Sequence, residues 1–146
     1  MRKTLLCEVA GVIAAPVARV EELVLTVGPG TVGPGNAWLL SDHGGVLRGG
    51  PGRFTLRLPG HSMTVDVTGR TFAVQGGWWY RGEYTVGPHP EGTLLTHRVY
   101  NAASRGRWAV PLANRFFAGF GESTRDGFAA GLERIGRELG CATHLA

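Results

Sequence analysis

The residues best suited to chemistry flank one Gly-Pro turn. Trp78, Tyr80 and Tyr84 precede Gly87-Pro88, and His97 and Asn101 follow it. An imidazole changes charge near neutral pH, so His97 beside tyrosines can move a proton. Tyr84 or Tyr80 would then stabilise an enolate or phenolate. The same aromatic rings provide wide apolar contact, and their N–H and O–H tips can orient a bound molecule. The plainer alternative is that His97 is a hydrogen-bonded structural residue and the rings are ordinary core.

Other chemistries lack a local pattern. The histidines His43, His61, His89, His97 and His144 show no paired spacing, so no zinc site is expected. No Walker motif and no G-x-S-x-G elbow occur. Ser41-Asp42-His43 spells the letters of a triad, but adjacent residues cannot adopt the relay geometry. A loop N-cap is the expected role there. Gly28-Pro29-Gly30-Thr31-Val32-Gly33-Pro34-Gly35 satisfies G-x-G-x-x-G, yet a helix pattern precedes it and none follows. Its two prolines also remove backbone donors that a phosphate cradle needs. A helix stop and a mobile loop are expected. No metal and no cofactor are expected.

Hydrophobic spacing supplies the elements that would position these residues. Residues 3–13 are β-prone, with Leu5, Cys7 and Val9 on one parity. Pro16 suits a first helical turn, and Val17, Val20, Val24 and Val27 recur at helical steps, predicting a helix over 16–27. Phe54, Leu56 and Leu58 alternate with Arg53, Thr55 and Arg57. Met63, Val65 and Val67 alternate with Thr64, Asp66 and Thr68, and Phe72 and Val74 continue the pattern. Residues 78–86 and 93–102 form two longer strands. The whole reads as an antiparallel meander. Phe128, Leu132, Ile135 and Leu139 then share one helical face, and Gly140 ends that helix. Ser123 and Asp126 resemble a capping box. The helix pattern extends back toward Leu112, with Asn114 and Phe117 on the same stripe.

Pairing Val86 with Thr93 sets the hairpin register. Tyr84 then faces Leu95, Gly82 faces His97, Tyr80 faces Val99, and Trp78 faces Asn101. This face carries no formal charge and is assigned to the interior. The opposite face holds Trp79, Arg81, Glu83, Arg98 and Tyr100, with Glu83 diagonal to Arg98 as a cross-strand ion pair.

Composition bounds the function. A chain of 146 residues fits a single domain. Its hydrophobic fraction of 43% supports a core, and its charged fraction of 18% is too low for a disordered chain. The net charge of +4 comes from scattered arginines rather than a basic run, so nucleic acid is not an expected partner. No apolar run approaches the ~18 residues of a membrane span. Met1-Arg2-Lys3 with Thr4-Leu5-Leu6 looks like the start of a signal peptide, but Glu8 and Gly11 interrupt the apolar stretch. A cytoplasmic location is expected. Cys7 and Cys141 lack a motif partner; idle thiols are preferred over a disulfide, which the sequence leaves open.

The order is strand, short helix, meander and long terminal helix. A one-sided sheet needs its apolar face covered, and a single helix on a concave face leaves a gap suited to a ligand. Ala15-Pro16 with Val20, the Glu83–Val86 strand, Gly92-Thr93, and Gly131-Leu132 through Leu139 follow one another over nearly the whole chain. In this order they resemble the START-like, or SRPBCC, superfamily, which includes polyketide cyclases and lipid carriers. Members often carry Trp just after the Val20 position, where this chain has Glu21, and its 28–52 link is rich in glycine. The resemblance implies an α+β helix-grip fold over residues 1–146, with a curved antiparallel β-sheet wrapped around a long C-terminal α-helix. It also implies an internal cavity for a hydrophobic or aromatic small molecule. Trp78, Tyr80, Tyr84, His97 and Asn101 are its expected sheet wall, faced by Phe128 and Leu132. Two alternatives accompany this reading. One is a cyclase, aromatase or dehydratase using His97 and a tyrosine. The other is a non-catalytic interaction module with a filled core. A homodimer is left open.

Overall fold

The computed structural model describes residues 3–106 and 120–146. It is an α+β structure built on nine strands. In chain order these are β1 (Thr4–Ile13), α1 (Val17–Val24), β2 (Gly30–Thr31), a 3₁₀ turn (Trp38–Leu40), β3 (Val46–Gly49), β4 (Arg53–Leu58), β5 (His61–Thr68), β6 (Thr71–Gly76), β7 (Tyr80–His89), β8 (Gly92–Asn101), α2 (Phe120–Leu139) and β9 (Thr143–Leu145). The strands form one antiparallel sheet in the order β2-β3-β4-β5-β6-β7-β8-β1-β9. The sheet is curved and unclosed, and α2 is the one long helix among the described residues.

Alternating side chains place the core on one face. Phe54, Leu56, Val65, Phe72, Val74, Val86, Leu95 and Val9 are buried there. On α2, Phe128, Leu132 and Ile135 meet them at the expected helical spacing. Gly140, at φ +66°, ends α2 as expected.

Several expectations are corrected. A bulge between Leu5 and Cys7 changes the parity of β1. Leu5 therefore pairs opposite Tyr100 and is exposed, while Cys7 and Val9 stay on the core face. α1 is shorter than 16–27, since Leu25 leaves helical geometry and Thr26 accepts the Ala37 N–H at 2.9 Å. The Gly-Pro segment, expected as a mobile loop, makes hydrogen bonds of its own. Asn36 Oδ1 accepts the Gly28 N–H at 2.8 Å, Asn36 Nδ2 donates to the Thr31 carbonyl at 3.1 Å, and β2 pairs with β3. Ser123 lies inside α2 and so is not its cap. β9, absent from the sequence reading, pairs with β1 at Gly11–Ile13. The proposed extension of α2 toward Leu112, with Asn114 and Phe117, lies outside the described residues.

The outer sheet face carries the ions, with different partners from those expected. Glu83 does sit opposite Arg98 in register. Arg98 nevertheless binds Glu8 on β1 at 2.7 Å, while Glu83 takes Lys3 at 2.6 Å and Arg81 at 2.7 Å. All three alternative partners lie within reach, so the direct pair is not needed.

Two glycines lock the frame. A Cβ on Gly11 would fall inside the Leu132 side chain. Gly92 has φ +137°, and a Cβ there would lie 2.5 Å from the Ile13 carbonyl oxygen and 2.8 Å from that of Ala15. Next to it, the Thr93 hydroxyl donates to the Ala15 carbonyl at 2.7 Å. Together these contacts tie the start of β8 to the end of β1. Leu132 can shift, whereas backbone carbonyls cannot. Gly11→Ala is expected to cost about 1–3 kcal/mol, and Gly92→Ala more than about 2 kcal/mol. Urea denaturation should give that order, and truncating Leu132 to Val should recover part of the Gly11→Ala loss only.

Candidate functional site

The β7–β8 hairpin turns more tightly than expected. His89 pairs with Gly92, leaving Pro90 and Glu91 as the turn. Val86 thus faces Leu95 rather than Thr93, Tyr84 faces His97, Gly82 faces Val99 and Tyr80 faces Asn101. The displacement is two residues, so each side chain keeps its predicted face.

Tyr80, Tyr84, His97 and Val99 border a pocket of about 270 Å³ that opens to the surface, flanked on the other side by Ser123, Thr124, Gly127 and Phe128 of α2. A second space of about 100 Å³ lies deeper along α2, beside Trp38, Leu95, Gly131 and Leu132. Tyr84, Gly127 and Phe128 border both spaces. Of the predicted wall, Tyr80, Tyr84, His97 and Phe128 come together, and Leu132 belongs to the deeper space.

Trp78 does not join them. It precedes β7, is 49% exposed, and donates its indole N–H to the Arg105 carbonyl at 2.7 Å. Starting β7 at Tyr80 removes Trp78 from the inner ladder. Asn101 is buried, but its Oδ1 accepts the Ala103 N–H at 3.0 Å and it borders neither space. It shapes the end of β8.

His97 has a defined environment. Its ring stacks on Tyr84 at 4.1 Å between centroids and 11° between planes. Phe128 lies parallel to it within 5°, at 6.0 Å. His97 Nδ1 is 3.3 Å from the Glu83 carbonyl oxygen. A carbonyl can only accept, so Nδ1 carries the proton and Nε2 presents a lone pair. Nε2 makes no hydrogen bond within the described residues, and no buried side-chain N or O atom there lacks a partner. Nε2 is therefore open to the cavity. The Tyr80 and Tyr84 hydroxyls likewise have no protein partner within the described residues.

Gly82 makes this convergence possible. A Cβ there would lie 2.5 Å from the Tyr80 hydroxyl oxygen and 3.3 Å from His97 Cε1. The Tyr80 phenol occupies that room and ends beside the imidazole edge. Burial holds the site uncharged. It lowers the His97 pKa, opposed by the Glu83 carbonyl. It raises Tyr84, aided by the Tyr80 phenol, and it raises Tyr80, aided by Cys7.

Sequence reasoning missed Ser123, Thr124 and Gly127, although they share a helical face with Phe128 and Gly131. It also missed Trp38 and Arg134. Arg134 stacks over the Trp38 ring at 4.9 Å, donates to Ser41 Oγ at 2.9 Å and pairs with Asp42 at 2.8 Å. Ser41 and Asp42 thus fasten the 3₁₀ turn to α2 instead of capping a helix. No group of three or more metal-ligating side chains occurs among the described residues.

The His97 environment has a pH signature. Its native pKa is below the unfolded value of about 6.5. Its contribution to stability is complete above that value and is lost as pH falls through it toward the lowered native pKa. Denaturation midpoints should decline over this window in the wild type, and His97→Gln should flatten the decline.

Neither a protein-family model, a curated protein nor a solved structure matches this chain.

Proposed function

We propose that this chain is a helix-grip domain of START-like, or SRPBCC, type that binds a hydrophobic or aromatic small molecule between the sheet and α2. One observation carries the reading. Gly127 sits inside a helix at the exposed rim of both spaces, and apart from its chain neighbours and the helix's own backbone no atom of the described residues lies within 4 Å of where its Cβ would be. Close packing does not require this glycine. A helical glycine costs about 0.5–1 kcal/mol relative to alanine. Gly131, one helical step away, repeats the pattern. Residues that weaken a helix and leave room beside it support a cavity kept for an occupant.

The pocket beside the aromatic rings has a volume of about 270 Å³. It lies near the lower end of the ~300–1,000 Å³ of ligand pockets, which favours a compact ligand over a long lipid chain. The open Nε2 of His97 beside two protonated tyrosines supports a second reading, an enzyme of cyclase, aromatase or dehydratase type. There His97 accepts a proton and Tyr84 or Tyr80 donates to the developing oxyanion. The free thiols of Cys7 and Cys141 suit the proposed cytoplasmic location. No helix among the described residues is long and apolar enough to cross a membrane.

Gently purified protein should weigh more in its native than in its denatured mass spectrum, by the mass of an organic ligand. Gly127→Ala should stabilise the fold by about 0.5–1 kcal/mol. Gly127→Leu should fill the space and abolish binding of an apolar fluorescent probe. Equal native and denatured masses, with probe binding unchanged in Gly127→Leu, would reject the cavity reading.

A further inference from the structure

We infer that the cavity selects a neutral aromatic molecule bearing a hydroxyl group, a ligand of the phenol class, whose O–H donates to His97 Nε2. This inference rests on the cavity reading and adds the chemistry of the occupant. It follows from what each polar group can do. The Glu83 carbonyl holds the proton of His97 on Nδ1, so Nε2 can only accept. A ligand that displaces water without donating a hydrogen bond would leave that lone pair unsatisfied. The Tyr80 and Tyr84 hydroxyls can rotate to donate or accept. One ligand hydroxyl can therefore give its proton to Nε2 and receive a hydrogen bond from a tyrosine.

Charge narrows the class. The residues bordering the larger space carry no ionised side chain under neutral conditions. Arg134 borders only the deeper space and is already engaged by Asp42 and Ser41. The Glu83 carboxylate lies on the outer face with Lys3 and Arg81. A carboxylate or ammonium entering the larger space would lose water without gaining a counter-ion among the described residues.

Shape narrows it further. The Tyr84, His97 and Phe128 rings are nearly parallel. An inserted ring needs about 7 Å, twice a ~3.5 Å contact. The 4.1 and 6.0 Å centroid separations are smaller. The ligand therefore meets the imidazole at its edge, where Nε2 and the Tyr80 hydroxyl lie, rather than stacking between the rings.

Three probes of one shape test this at neutral pH by calorimetric titration: naphthol, methylnaphthalene and naphthoate. Naphthol should bind about tenfold or more tightly than methylnaphthalene. Naphthoate should bind at least about tenfold more weakly than naphthol. His97→Phe should reduce naphthol to the methylnaphthalene level and leave methylnaphthalene within about threefold of its wild-type value. Nitrogen NMR of the wild type gives a measurement independent of that variant's folding. The Nε2 resonance should move with naphthol and not with methylnaphthalene. Equal affinity for naphthol and methylnaphthalene, or preference for naphthoate, overturns the inference while the cavity reading stands. Failure of all three to bind removes both.

Discussion

The contact between Gly11 and Leu132 governs the arrangement. Because β1 lacks a side chain there, α2 approaches the sheet closely enough for Leu132 to occupy the vacated room. Gly136 continues the close approach, with the Thr143 methyl of β9 3.2 Å from its would-be Cβ. Five residues toward the N-terminus from Leu132, about 7.5 Å along a helix, Gly127 faces open space. The helix is thus seated at its C-terminal half, and nearer its start Phe128 meets His97 with the pocket beside them.

Glu83 links the two faces of the sheet. Outside, its carboxylate is held by Lys3 and Arg81, and Arg81 also reaches Asp66 and Gln75. These contacts lower the Glu83 pKa against the opposing effect of burial. Inside, the carbonyl of the same residue orients His97. Exposed ion pairs contribute little singly. A half-buried network spanning several strands can still fix the backbone whose carbonyl sets an imidazole tautomer.

The sheet and the main helix were legible because their spacing is regular. Alternation identified the inner residues of β4 to β8, and the four-three-four step of Phe128, Leu132, Ile135 and Leu139 identified α2. The register error was harmless, since an even displacement preserves which side chains point inward. A bulge between Leu5 and Cys7 reversed one expectation that alternation alone could not correct. The 28–52 link was opaque for a different reason. Its order depends on Asn36 hydrogen bonds, a three-residue 3₁₀ turn and a two-residue strand, all too short to produce a period. β9 is also too short to read and forms because α2 returns it to β1. Of the site, the Tyr84–His97 pair was visible from parity. Its helical wall was missed because small residues carry no hydrophobic signal.

The glycines at 127 and 131 give the two walls of the cavity different evolutionary freedom. The polar tips belong to a braided sheet in which a change to one strand disturbs its neighbours. The opposing helix offers positions where a methyl or isobutyl group can be added into empty space. Single-codon changes there can resize the chamber and redirect ligand preference without rebuilding the scaffold, so descendants of this chain can diversify in what they hold while keeping how they hold it.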